Sequence, residues 1–137
     1  MERTLAIIKP DAVASGSAGG VITMIEEAGF NIVAMKKAQL TAAQAEGFYH
    51  VHSARPFFRD LVDFMTSGPV VLMILEAEDA ISRWRELMGP TDAAKAGPDT
   101  VRGRFGTNIE RNASHGSDAP ETAAFETAWF FNCFERV

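Results

Sequence analysis

Residues 69–77, PVVLMILEA, hold an apolar run that continues without a break from Val70 to Leu75. A run this short, rich in β-branched residues and bounded by Gly68-Pro69, reads as a strand in the middle of a sheet. A second run, TLAII at 4–8, reads the same way, as a strand buried on both faces. FNIVAMKKAQL is a third strand, and Lys36 and Lys37 assign it to an edge. A short fourth strand is expected just ahead of NASHGSDAPET, residues 112–122.

Helices fill the gaps. Val21, Ile22, Ile25 and Ala28 recur at helical spacing after the loose SGSAGG, and Gly29 closes the segment. Thr41 caps a helix carrying Gln44, Ala45, Phe48 and Tyr49. Further helices are predicted over about 56–66 and 78–88, and residues 89–112 as a long glycine-punctuated loop. In the last helix, 119–131, Asp118 is predicted as the cap with Glu121 at capping-box spacing, and Phe125, Ala128 and Trp129 share one face. A chain of 137 residues in this order predicts one α+β domain spanning residues 1–137. Its expected form is a ferredoxin-like sandwich, a four-stranded antiparallel sheet with helices on one face and a long loop before the last strand.

Bulk properties narrow the function. No apolar run approaches the roughly 20 residues that cross a bilayer, and the apolar stretch in MERTLAIIKPD is too short for a signal peptide. With a single cysteine, Cys133, no intrachain disulfide forms, which predicts a reducing, cytoplasmic setting. A net charge of −5 opposes broad nucleic-acid binding but permits a small phosphorylated ligand held by a local cationic cluster.

Candidate chemistry centres on His115. Ala113, Ser114 and Gly116 leave its ring reachable, and Ser117 or Glu126 could orient it. An exposed imidazole among cations can serve as a base, or carry a phosphoryl group covalently. Lys9 ends a buried strand, and Arg85 and Arg102 are among several arginines suited to gripping phosphate. SGSAGG lacks the ending of a P-loop and the spacing of a dinucleotide turn, so it reads as a flexible lead-in to a helix. His50 and His52 diverge on a helix with no partner ligands nearby, so they read as surface residues and no metal site is predicted.

TLAIIKPDAV, AEGFYHVHSARPFFRDLVDFMTSGPVVLMILE, RELMGPT, TVRGRFG and RNASHGSDAPETAAFE occur in this order. Together they closely resemble the nucleoside diphosphate kinase family along nearly the whole chain. The resemblance implies that His115 is transiently phosphorylated while the γ-phosphoryl group of a nucleoside triphosphate passes to a nucleoside diphosphate. It implies that Lys9, Arg85, Thr91 and Arg102 hold phosphates and that Lys9 and Asn112 meet the sugar hydroxyls. It likewise implies that the base stacks on Phe57, that Tyr49 packs near the phosphorylated residue, and that Ser117 and Glu126 position His115. Mg2+ would arrive with the nucleotide, and a homo-oligomer, tetramer or hexamer, is expected. Two departures stand out: Asp92-Ala93 where Asn-Pro is typical, predicting a looser turn, and Asp99 where glycine would permit positive φ. The rival readings are a ferredoxin-like RNA-binding module, prompted by RGRFG at 102–106, and a catalytically silent nucleotide-binding scaffold.

Overall fold

The two unbroken apolar runs become the inner strands of the sheet in the computed structural model, which describes residues 1–137. β1 (Glu2–Ile8) and β3 (Val70–Ala77) pair antiparallel, from Glu2 opposite Ala77 to Ile8 opposite Val71. β2 (Asn31–Ala38) lies outside β3 as an edge strand, and β4 (Ser114–Gly116) lies outside β1, giving the order β2-β3-β1-β4. Every neighbouring pair is antiparallel, so β3 fills the gap in a split βαβ unit, as the ferredoxin-like reading requires.

Helices cover both faces of this sheet, where one covered face was expected. The reason is visible in the sequence: β1 and β3 point apolar side chains to both sides, and each side must be shielded from water. On one face, Ala6, Ile8, Met73 and Leu75 pack with Val21, Met24, Ile25, Trp84 and Met88. These belong to α2 (Ala18–Glu27) and α5 (Ala80–Met88). On the other face, Leu5, Ile7, Leu72 and Ile74 meet Phe48, Phe64, Met65 and Phe131. The helices there are α3 (Ala42–Phe48), α4 (Phe58–Met65) and α7 (Pro120–Phe130), with Phe131 following the last. Each large side chain buried this way contributes about 1.5–3 kcal/mol.

Local signals account for most boundaries. Thr41 Oγ1 accepts from Gln44 N–H at 3.1 Å while Gln44 Oε1 accepts from Thr41 N–H at 2.9 Å, a complete capping box. Gly29, at φ 91°, takes the left-handed turn that follows α2. Packing extends α2 back through Gly19 and Gly20 despite their low helix propensity. A short helix not foreseen, α1 (Pro10–Ala14), starts on Pro10, whose ring suits the first helical position.

Residues 89–112 hold more structure than a featureless loop. Asp92 Oδ1 accepts from Ala94 N–H at 3.1 Å and starts a 3-10 turn over Ala93–Lys95. Thr100 Oγ1 accepts from Gly103 N–H at 3.0 Å and caps α6 (Val101–Phe105). Both elements are too short to leave a periodic signature. Asp99 is not among the residues at positive φ, so the strain foreseen there does not arise. RGRFG lies on α6 and past its end, so it offers no strand on which RNA bases could stack.

One expectation about α7 needs correction, while Phe125 and Trp129 do share a face, their rings stacked with centroids 5.8 Å apart. Its cap is Ala119, and Asp118 instead accepts from the Thr122 hydroxyl at 2.6 Å, because Pro120 fixes the first helical position. The buried face carries Ala123 and Thr127, while Phe125 and Trp129 stay 38% and 43% exposed on the single chain.

Candidate active site

β4 includes the histidine itself, where the strand was expected to end before it. Ala113, at φ 72°, turns the chain so sharply that Ser114, His115 and Gly116 fall into register with Ile8, Ile7 and Ala6. Holding a non-glycine residue in this region costs about 1–3 kcal/mol. The His115 backbone is then fixed by Trp84, whose indole N–H donates to its carbonyl at 3.1 Å. Any side chain at position 116 would collide with that indole, so Gly116 is required by close approach.

The ring is fixed from the opposite side. His115 Nε2 lies 3.0 Å from Glu126 Oε1 on α7. Ser117 Oγ donates to the same oxygen at 2.7 Å and accepts from Leu5 N–H at 3.2 Å, which ties the carboxylate to the sheet. Phe48 presses edge-on against the imidazole, with ring centroids 5.2 Å apart. A carboxylate accepting from Nε2–H selects the tautomer whose lone pair is on Nδ1. Nδ1 makes no hydrogen bond within the protein.

His115 faces a cavity of about 680 Å³. Of the ten site residues named from the sequence, all but Ser117 line it, and Ser117 is buried behind the ring. Lys9 Nζ donates to Asn112 Oδ1 at 2.9 Å, and Asn112 Nδ2 donates to Thr91 O at 3.0 Å. Arg102 donates to Gly89 O at 2.9 Å and to Ser114 O at 3.0 Å, while its Nε is buried without a partner. Arg102 therefore braces the loop and β4 as well as charging the cavity.

Electrostatics single out the anion side of this cavity. Burial, reinforced by Arg102 and partly opposed by Asp11 and Glu110, lowers the Lys9 pKa to about 8. Burial, with Arg85 adding to it, lowers that of Arg102 to about 10. None of Lys9, Arg85 and Arg102 forms a salt bridge with a carboxylate. Lys9 and Arg102, desolvated side by side with no carboxylate in salt-bridge contact, are an unfavourable arrangement that an arriving polyanion would relieve. Tyr49 is buried, its hydroxyl has no partner, and its pKa is raised by burial and then by Glu126. It remains a protonated donor.

Part of the cavity lining is apolar. Phe57 is 45% exposed there, and His52 lies against it with ring centroids 5.7 Å apart. His52, read from sequence as a surface residue, is half-buried in the cavity lining. Ile109 and Val51 also line this region and were not foreseen. Nothing in their spacing to the motif residues announces them.

Comparison with known proteins bears on the family and the fold. The family model described as "Nucleoside diphosphate kinase" matches residues 2–136. A protein of that name from Trichlorobacter lovleyi is 64% identical over 137 residues, covering 100% of this chain and 99% of the relative. Another from Syntrophotalea carbinolica is 60% identical, covering 96% of each. The Aquifex aeolicus nucleoside diphosphate kinase superposes with TM-score 0.97 at 47% identity, covering 99% of both chains. A halophilic nucleoside diphosphate kinase from Halobacterium salinarum, solved in complex with CDP, superposes with TM-score 0.95 at 40% identity. That match covers 99% of this chain and 91% of the other.

Proposed function

The chain belongs to the nucleoside diphosphate kinase family and is a phosphotransferase acting between nucleotides, and we propose that it works through a phosphohistidine at Nδ1 of His115. One observation carries this reading. Glu126 occupies Nε2 at 3.0 Å and leaves Nδ1 as the free nitrogen in a cavity lined by unpaired cations.

In the first half-reaction, the Nδ1 lone pair attacks the γ-phosphorus of a nucleoside triphosphate. The bond to the β-phosphate oxygen breaks, and the diphosphate departs with that electron pair. A second diphosphate then attacks the phosphorus, and the N–P bond returns its electrons to Nδ1. The phosphorylated ring carries positive charge while Nε2 keeps its proton, and Glu126, held by Ser117, offsets that charge. Lys9, Arg85 and Arg102 compensate the phosphate charge, and Thr91 adds a hydroxyl beside them. Tyr49 offers its orphan hydroxyl to a phosphoryl oxygen. Lys9 and Asn112 would meet the sugar hydroxyls, and Phe57 would offer a face on which purines and pyrimidines can stack alike.

The chain has no cluster of three or more carboxylate, imidazole or thiolate groups that would hold a metal by itself. Mg2+ would arrive with the nucleotide, on its phosphates, where it would neutralise charge on the transferred group. No helix is long and apolar enough to cross a membrane. The free Cys133 and the nucleotide substrates favour a cytoplasmic setting, with residues 1–137 acting as one domain. Exposed Met35, Phe125, Trp129 and Phe134 favour a homo-oligomer, and the family resemblance makes that a tetramer or hexamer built from dimers.

The Lys9 environment gives this reading a pH signature. Free enzyme loses the Lys9 proton near pH 8, so kcat/KM for the nucleoside triphosphate, which meets the unphosphorylated enzyme, is expected to fall above that pH. Bound phosphate favours the ammonium, so the alkaline limb of kcat should lie higher. A pH–rate profile measured at saturating and limiting triphosphate checks both, and coincident limbs would remove Lys9 from phosphate binding.

Initial rates test the two-step scheme. With ATP and GDP varied together, reciprocal plots are expected to be parallel, because each nucleotide leaves before the next one binds. Intersecting lines would mean direct transfer in a ternary complex.

A further inference from the structure

Asp11 enters the scheme above only as a charge near Lys9, yet it is wired to the strained turn that delivers His115. Between Asn112 and Ser114 the chain reverses in three residues. Ser114 N–H donates to Asn112 O at 2.9 Å, and Ala113 between them sits at φ 72°. A positive φ under an i to i+2 hydrogen bond is the rare, strained form of the γ-turn. Ala113 is fully buried, so both of its backbone polar groups need partners.

Both partners come from one segment. The Ala113 carbonyl accepts from Lys9 N–H at 2.8 Å, and its N–H donates to Asp11 Oδ2 at 3.1 Å. Only the second bond depends on a side chain. Asp11 lies in the first turn of α1, directly after Lys9 and the conformationally fixed Pro10. Its other oxygen, Oδ1, is buried and has no partner. A carboxylate is thus kept partly buried largely for a single amide.

What hangs from that amide is the site. On one side of Ala113, Asn112 grips Lys9 Nζ and Thr91 O. On the other side follow Ser114, whose carbonyl receives Arg102, and then His115. A turn that relaxed toward ordinary φ would shift Asn112 and His115 relative to each other and to the cations.

We infer that Asp11 is a positioning residue: by accepting the Ala113 amide it holds the γ-turn closed and thereby sets His115 against the phosphate-binding side chains. This rests on the phosphohistidine reading of the same cavity.

The test combines Asp11→Ala, Asp11→Asn and Ala113→Gly, with kcat, KM and thermal unfolding measured on the full chain with Mg-ATP and GDP. Misplacing a reacting group by an ångström can cost on the order of 10²-fold, so Asp11→Ala is expected to lower kcat by roughly 10- to 100-fold. Asp11→Asn keeps an oxygen acceptor and is expected to stay within about threefold of the unaltered chain. Glycine takes positive φ without strain, so adding Ala113→Gly to Asp11→Ala is expected to recover at least about threefold in kcat. An Asp11→Asn variant as slow as Asp11→Ala, or a double variant no faster than Asp11→Ala, overturns the inference. Should Asp11→Ala not fold, Asp11→Asn still decides: activity near that of the unaltered chain supports the clamp, and a loss of tenfold or more overturns it. Failure of the underlying reading looks different, because the unaltered chain itself would then take no acid-labile label on His115 from γ-labelled ATP.

Discussion

His115→Gln is expected to lower turnover by at least about 10⁴-fold, the scale of loss when a covalent nucleophile is removed. The fold should survive. The His115 backbone is secured by pairing with Ile7 and by the Trp84 indole, and neither contact involves the ring. Glutamine can still offer an N–H toward Glu126, so the carboxylate need not be stranded. Steady-state kinetics with ATP and GDP, alongside thermal unfolding, check both halves. Retained turnover would place the chemistry on another residue, and loss of folding would make the ring structural.

Lys9→Ala is the second large effect. Removing one preorganised cation facing the transferred group is expected to lower kcat/KM by about 10²–10³-fold. Stability should move little. The ammonium sits in the protein at a desolvation cost, which is why its pKa falls to about 8, and alanine removes that cost. Asn112 loses one hydrogen bond, worth about 1 kcal/mol, but keeps its bond to Thr91. A variant that unfolds much earlier while retaining full activity would mean that Lys9 serves the core and not the phosphate.

Arg102 shows why charge removal alone is a poor guide to such variants. From sequence, Arg102→Ala and Lys9→Ala look alike: each loses a cation and keeps its fold. In the structure, Arg102 also donates to Gly89 O and Ser114 O, so its removal leaves two partly buried carbonyls without that donor. Lys9 has no comparable bracing role through its side chain beyond Asn112.

The inner strands were legible because β1 and β3 are apolar without alternation, a pattern few other elements produce. The same pattern implied that both faces are covered, although a single layer of helices was the first reading. β4 was misplaced because three residues carry no periodicity. Its register is set by the left-handed Ala113, which no local sequence cue marks. α6 stayed hidden for a similar reason, being a five-residue helix capped by Thr100 inside a glycine-rich stretch.

The site divides along the same line. His115, Lys9, Asn112 and the arginines could be named because they stand in motifs or repeat a residue type suited to phosphate. Asp11, His52 and Ile109 could not. Asp11 meets Ala113 across 102 positions of sequence, and that contact exists only once β1 and β4 lie side by side.

Mixing the purified chain with γ-labelled ATP and locating the label interrogates the phosphohistidine most directly. The expected product is acid-labile label on His115, which added GDP discharges as labelled GTP. An unlabelled chain that still transfers phosphate, or a label that survives acid or stays behind when GDP is added, would show that the imidazole does not carry the phosphoryl group.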